Sequence, residues 1–476
     1  MLIIYIKNIS KIFAGLLILG GKILQKNMLS NKKKSAQRSF SFNLVDSLNP
    51  QHPLYILAHK IDWQLFENEF SKFYCSDNGR PAKPIRLMVG LLLLKHIRNI
   101  SDESVVEQWS ENVYYQYFCG VDSFDSKQPC ASSELVHFRH RIGESGMELI
   151  FKESIRINEN DGDDHHVNVD TTVQEKNITF PTDTKLQKRV IDKCLKIADK
   201  EGLILRQTYT RTLKKLMVDL RFSKNIKNRK RVNKARRFVK TIAGRLVREL
   251  KRLLPEDSSH SKELALFTQV LEQHRYSKNK IYSLHEDQVC CISKGKDHKA
   301  YEFGNKASFV VTQNTGVIIG AKSFRNEYDG NTLEQALEQA QALRKTKIKT
   351  ATVDRGYRGK SEINGVKIQI PKAFKKSLSS YQKKRLKKAH SKRAAIEPII
   401  GHLKTDHRLG RNFYKGLLGD SINILLSAAA FNFKRMMNKW KNLLLSFFQK
   451  LFLPLFNFFN QILLSIKTET FLKWSF

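Results

Sequence analysis

The sequence predicts a mixed α/β protein: a mixed sheet flanked by helices, with an all-helical N-terminal domain before it and a basic helical insertion after its first strand. Three observations carry this. Short runs rich in Val, Ile and Thr recur at 167–173, 307–312, 317–324, 348–354 and 367–370, which marks strands. Between 184 and 254 the pattern turns helical and heavily cationic. Before residue 150 the apolar residues follow helical spacing.

At 476 residues the chain exceeds one core, so two or three domains are expected, and 41% hydrophobic residues suffice to build them. Eighty-four Lys and Arg against 45 Asp and Glu give a formal charge of +39, a self-repulsion that a polyanion would relieve. Nucleic acid fits better than mere solubility, because the cations are clustered. Cys75, Cys119, Cys130, Cys194, Cys290 and Cys291 form no C-x-x-C pair, so they are expected to be reduced, as in the cytoplasm.

Residues 1–30 form an apolar leader. The run Ile12–Gly20 is short for a bilayer, lies between Lys11 and Lys22, and precedes no small-residue cleavage site. A start at Met28 explains it better than a targeting segment does. The helical domain is expected over 31–158. Leu91–Leu94 lie in one helix, and Ser101 starts an amphipathic segment through Val105, Trp109 and Tyr117 to Gly120. In Ser132–Gly143, Leu135, Phe138 and Ile142 share a face while Arg139, His140 and Arg141 fan around the rest. That segment reads equally as a DNA recognition helix using Arg139 and Arg141 or as a surface helix with a basic exposed side.

An acidic linker, 159–164, leads into the sheet domain, expected over 165–440. Alternation in the first strand puts Val167, Val169 and Val173 on one face and Asn168, Asp170 and Thr172 on the other. The insertion, 184–285, crowds Lys230, Arg231, Arg236 and Arg237 together, and the interleaved Ile226, Val232, Phe238 and Ile242 imply an amphipathic helix with a cationic wet side suited to phosphate backbone. A hairpin turning at 313–316, a helix over 331–340 and two further strands complete the domain. The tail, 441–476, includes the apolar run 443–464, broken by Lys450, Pro454, Asn457, Asn460 and Gln461; a core or oligomer-forming helix suits it better than a membrane anchor.

Asp170 and Asp354 fall at the ends of apolar strands, and Glu397 lies in a basic helical segment. Hard carboxylate oxygens brought together from distant positions are what divalent metals require, and two magnesium ions about 4 Å apart serve phosphodiester chemistry. Taken singly, an Asp after a strand is more often a turn or cap residue. Arg393, Glu397 and Lys404 share one helical face, where Arg393 and Glu397 equally fit an ordinary i,i+4 ion pair. Pro398 is expected to kink the helix or to sit in the first turn of a new one.

The motifs Asp170–Asp183, Val353–Gly359 and Ile396–Lys404, followed by Asp406–Asn412, resemble the transposases of the insertion-sequence-five family, within the insertion-sequence-four/five superfamily. Gly79–Pro81, Tyr114–Gly120 and Phe138–Gly143 extend the likeness over about 38–440. The resemblance implies a ribonuclease-H-like DDE catalytic domain with Asp170, Asp354 and Glu397 as the acids, holding two Mg2+, with Mn2+ able to substitute. It implies binding of double-stranded DNA at the terminal inverted repeats, end cleavage exposing 3′-hydroxyls, joining to target DNA, a homodimer on paired ends and no membrane partner. The expected localisation is the cytoplasm, in association with the nucleoid. Water and then the DNA 3′-hydroxyl are the expected nucleophiles, while Arg393 and Lys404 hold phosphates. In the Tyr-Arg-Glu-Lys signature of relatives, His390 stands at the tyrosine position, and it is expected with Arg355 to contact DNA; Asn331 stands where relatives are expected to carry His. A catalytically inactive repressor of the element ends, a ribonuclease-H-fold nuclease without strand transfer, and a membrane-associated basic protein are the competing expectations.

Overall fold

The computed structural model describes residues 43–75, 80–158, 164–296, 299–357, 359, 361–371 and 379–443. The leader, the linker residues 159–163 and the tail beyond 443 lie outside the described residues, so the expectations made for them do too. Two compact units emerge, Met1–Leu94 with Ser101–Ile142, and Lys95–Ile100 with Gly143–Phe476.

The first unit is helical. Its elements are α1 (Leu44–Ser47), α2 (Pro53–Lys60), α3 (Trp63–Ser71), α4 (Ile85–Arg98) as far as Leu94, α5 (Asp102–Glu111), α6 (Val113–Phe118) and the start of α7 (Ser132–Ile157). Leu91, Leu92, Leu93 and Leu94 are fully buried. The amphipathic segment expected to run unbroken to Gly120 is in fact two helices. Ser101 caps the first by accepting from Ser104 N, and Asn112 starts the second by accepting from the amides of Tyr114 and Tyr115. Leu135, Phe138 and Ile142 are buried on one face, as their spacing predicts. The helical backbone breaks at Gly143 (φ 61°, ψ −159°), as the segment's sequence bounds suggested, and a further helical stretch runs to Ile157.

The second unit is built on a mixed sheet. Strand β1 (His166–Lys176) lies at its centre, antiparallel to β3 (Lys299–Thr312) and parallel to β5 (Thr350–Thr352). Beyond β3, β2 (Cys290–Lys296) pairs with one half of that long strand and β4 (Ile318–Phe324) with the other. Beyond β5 come β7 (Val366–Gln369), parallel, and β6 (Glu362–Ile363), antiparallel to β7. Helix α12 (Asp329–Ala342) packs on β3 and β4, burying Leu333 and Leu337. The expected strand over 348–354 is paired only at 350–352, and β1 is buried on both faces, so strict alternation fails there. Asn168, Thr171, Thr172, Gln174 and Lys176 are all buried beside its valines. Close approach of β3 to β1 requires Gly304, because a Cβ would lie 1.9 Å from the Gln174 carbonyl oxygen.

Between β1 and β2 the insertion folds as four helices, α8 (Asp183–Lys200), α9 (Thr210–Arg221), α10 (Arg229–Leu253) and α11 (Ser261–Glu272). They share a core in which Val190, Ile191 and Cys194 meet Val239, Ile242, Leu246 and Phe267. On α10 the apolar stripe is Val232, Ala235, Val239, Ile242, Ala243, Leu246, Val247 and Leu250, which repeats every three or four residues. Ile226 and Phe238 were expected on it but are 86% and 38% exposed; Ile226 precedes the helix and Phe238 lies one position off the stripe.

The chain closes with α13 (Ser380–Ala394), α14 (Ile396–Asp406), β8 (Arg411–Asn412) beside β1, and α15 (Gly416–Leu443). Among the described residues, α15 alone is long and apolar enough to cross a membrane, but 72% of its apolar window is buried within the protein. All six cysteines are free thiols, and burial pushes Cys130 up to about 11 and Cys194 up to about 12.

Candidate active site

Parallel pairing of Asn168 with Thr352 sets β1 and β5 in a register that brings Asp170 and Asp354, each two residues further on, to the same level. Asp354 lies just beyond its strand. Asp170, expected at a strand end, lies within β1, because that strand continues to Lys176 along β3. Among the described residues, no strand pairs beside Asp170 on the β5 side, since β5 ends at Thr352 opposite Asn168 and β8 joins only at Glu175. Helix α14 packs against β1 and carries Glu397 in its first turn, where the helix dipole favours a carboxylate. Pro398 sits in that first turn, after a break from α13 at Ala395. This is one of the two geometries its sequence position allowed.

The three acids converge on one guanidinium. Arg393 Nη1 is 2.7 Å from Glu397 Oε1, and Nη2 is 3.4 Å from Asp170 Oδ2 and 3.9 Å from Asp354 Oδ2. The i,i+4 ion pair therefore exists as part of a larger cluster. Arg393 is 22% exposed, and its buried Nε has no hydrogen-bond partner among the described residues. Among the described residues, no three Asp, Glu, His or Cys stand at metal-ligating spacing; the cation that gathers these acids is Arg393.

Several neighbours hold this arrangement. Thr171 N donates to Asp170 Oδ1 at 2.8 Å, and Gly356 N donates to Asp354 Oδ1 at 2.7 Å. A Cβ at Gly356 would lie 2.9 Å from that oxygen and push the carboxylate aside, so the glycine leaves Asp354 its place. Buried Asn168 donates to the Lys392 carbonyl at 2.7 Å, fixing the end of α13 against β1 one residue before Arg393. Gln313 donates to Asn168 Oδ1 and Thr352 Oγ1, tying the hairpin turn to both strands. Tyr357 is 2% exposed, and among the described residues its hydroxyl finds no hydrogen-bond partner of normal geometry. Burial and then the charge of Asp170 hold it well above the usual tyrosine range. Sequence reasoning missed Gln313, Gly356 and Tyr357 as supporting groups. Asn168 was legible only as lying on the face of Asp170.

The other expected residues fall into distinct settings. His390 and Lys404 are half-buried on α13 and α14, and Arg355 is exposed directly after Asp354. Lys230, Arg231, Arg236 and Arg237 are exposed on α10, with Arg231 ion-paired to Asp219. Arg139 was expected to face DNA but is not available to it. It is 4% exposed and makes a bidentate pair at 2.8 and 2.9 Å with Asp102, the first residue of α5. Half-buried Arg141 lies over the Tyr74 ring, 4.6 Å from its centroid.

A family model described as a transposase domain matches residues 42–141, and one described as a transposase DDE domain matches residues 272–433. The second span contains Asp354 and Glu397 but not Asp170, which the insertion separates from it in sequence. The chain is similar to a Rhizobium meliloti protein described as uncharacterized protein ORF8 in the nfe locus, 42% identical over 200 residues, which are 41% of this chain and 96% of that protein. No solved structure matches the chain.

Proposed function

Since the chain belongs to the DDE transposases of the insertion-sequence-four/five type, we propose that it binds the terminal inverted repeats of its own element as double-stranded DNA, cleaves there, and joins the exposed 3′-hydroxyls to target DNA. The observation that carries this reading is the convergence of Asp170, Asp354 and Glu397 on a single cationic centre at the middle of the sheet. The strand order β4–β3–β1–β5–β7, antiparallel on one side of β1 and parallel on the other, with α12 leading into β5, supports a ribonuclease-H-like domain.

Three carboxylates that together accept one guanidinium present hard oxygens to positive charge, so the donor type, though not the spacing at which Arg393 holds them, suits divalent metal. Mg2+, or Mn2+, held by these acids would neutralise charge on the scissile phosphate and on the entering and leaving oxygens. Asp170 and Asp354 are pre-oriented by backbone amides, which leaves one oxygen of each directed at the shared centre. Glu397 arrives on a separate helix and is 58% exposed, so it completes the set from the solvent side. In this reading Arg393 turns from the acids to a phosphate when DNA binds, and Lys404, His390 and Arg355 line the same approach. Lys230, Arg231, Arg236 and Arg237 supply backbone contacts elsewhere, on a homodimer that works in the cytoplasm at the nucleoid.

Gly356→Ala tests the positioning of the second acid. The added carbon displaces Asp354 Oδ1, and a misplacement of this kind lowers cleavage by about 10²-fold. The urea midpoint stays near that of the wild type; unaltered cleavage would dissociate Gly356 from the site. The function itself is tested with a duplex carrying the element end. Mg2+-dependent cutting followed by joining of the pre-cut end supports transposition. Binding without cutting identifies a repressor, and cutting without joining a nuclease.

A further inference from the structure

The four-helix insertion carries 28 Lys and Arg against 10 Asp and Glu between residues 183 and 285, close to half of the whole chain's excess charge of +39. Part of that charge does not lie on a convex face. A cleft of about 710 Å³ opens between the start of α8, the middle of α10 and the segment after α11. Lys185 and Lys188 line one wall, Arg236, Arg237 and Lys240 another, and Arg275 the end. The acid in the lining, Asp183, is ion-paired to Lys280 at 3.5 Å, and Met217 and Leu220 give the cleft an apolar floor. Two aromatic side chains stand beside it in the chain. Tyr276 follows Arg275 and is 87% exposed, with the Arg275 guanidinium 5.6 Å from its ring centroid; Phe222 precedes the lining residue Ser223 and is 47% exposed.

We propose that this cleft binds single-stranded DNA, with phosphates on the cations of α8 and α10 and on Arg275, and a base stacked on Tyr276. The chemistry selects a strand rather than a duplex. A cleft of several hundred Å³ is on the scale of a small-ligand site, so a duplex touches only its rim, whereas one strand enters. Exposed aromatics beside cations suit unpaired bases, whose faces are free to stack, and serve no purpose against a paired stack. The proposal rests on the transposase reading, in which opened ends and joined strands supply such single-stranded stretches. Its residues lie on α8, α9, α10 and the segments after α9 and α11, which carry none of the three acids.

The test uses the full chain without divalent metal and follows the anisotropy of a labelled oligothymidylate and, separately, of an element-end duplex. The variant Lys185→Gln with Arg275→Gln weakens the oligothymidylate by about tenfold and reduces its salt slope by about 1.4, from the loss of two phosphate contacts at roughly 0.7 each. Tyr276→Ala weakens it without changing the slope. Both leave duplex binding within about twofold. Equal losses for strand and duplex, or no loss for the strand, overturn the proposal. If strand binding follows these expectations but the wild type never cuts DNA, the cleft stands and the transposition reading falls; cutting without strand binding gives the reverse.

Discussion

Asp354→Ala is expected to lose cleavage at the element ends by about 10³-fold or more while end binding stays measurable. A metal centre contributes several kcal/mol of charge stabilisation to the transition state, and each 1.4 kcal/mol is a factor of ten in rate. The carboxylate lies within 3.9 Å of the guanidinium it shares with Asp170 and Glu397, so its loss removes one of three anions from the centre. The fold should tolerate the change, because the side chain is 38% exposed and follows its strand rather than packing beneath it. Cleavage by the variant at the wild-type rate would remove Asp354 from the chemistry. Loss of binding together with cleavage would instead point to unfolding, which far-ultraviolet circular dichroism separates.

The largest loss of stability is expected at Lys176. Its buried ammonium is 2.9 Å from Asp420 and 3.3 Å from Glu286, and it donates to the carbonyls of Tyr414 and Gly416. Asp420 is fully buried and also accepts from Asn305 and Asn412, each at 2.7 Å. This group ties β1 to β3, to β8 and to the start of α15, in the one unit that holds the acids. Lys176→Met removes the only cation of the cluster among the described residues and leaves two anions facing each other, a loss of about 3–5 kcal/mol. The urea midpoint reports it; a change under about 1 kcal/mol would mean that water or rearrangement screens the anions. Burial raises the Asp420 carboxyl above its usual range, and Lys176 opposes that rise. A carboxyl whose folded pKa exceeds its unfolded value takes up a proton more readily when folded, so lowering the pH favours the native state. The variant's deficit therefore narrows towards acid pH, and Asp420→Asn in the same chain recovers part of it.

Much of this architecture was legible before any coordinates. The hairpin at 313–316, the helix beginning near Asn331 and the amphipathic face of Leu135, Phe138 and Ile142 follow from turn chemistry and periodicity, which act over a few residues. What escaped depends on partners far away in sequence. Strand β2 has no pattern of its own and exists because the long β3 offers it an edge. Arg139 looks like its neighbours on a helical wheel, and only the position of Asp102 decides that it is buried. The three acids could be named, yet the arginine at their centre, expected chiefly on phosphates, is revealed only by folding. Val167–Val173 reads as a one-sided strand because alternation cannot register the polar interior formed by Gln174, Lys176, Asn305 and Asn412.

A resident guanidinium among three carboxylates also bears on handling. Their mutual repulsion is quenched by a covalently tethered counterion, so assembly of the centre does not wait for a dissolved one. The protein should survive chelators during purification with its architecture intact and in a dormant form, unlike small domains that unravel when stripped of zinc. On the proposed metal-dependent function, awakening it becomes a matter of exchange, in which incoming metal and DNA together outcompete a charge that never leaves the chain.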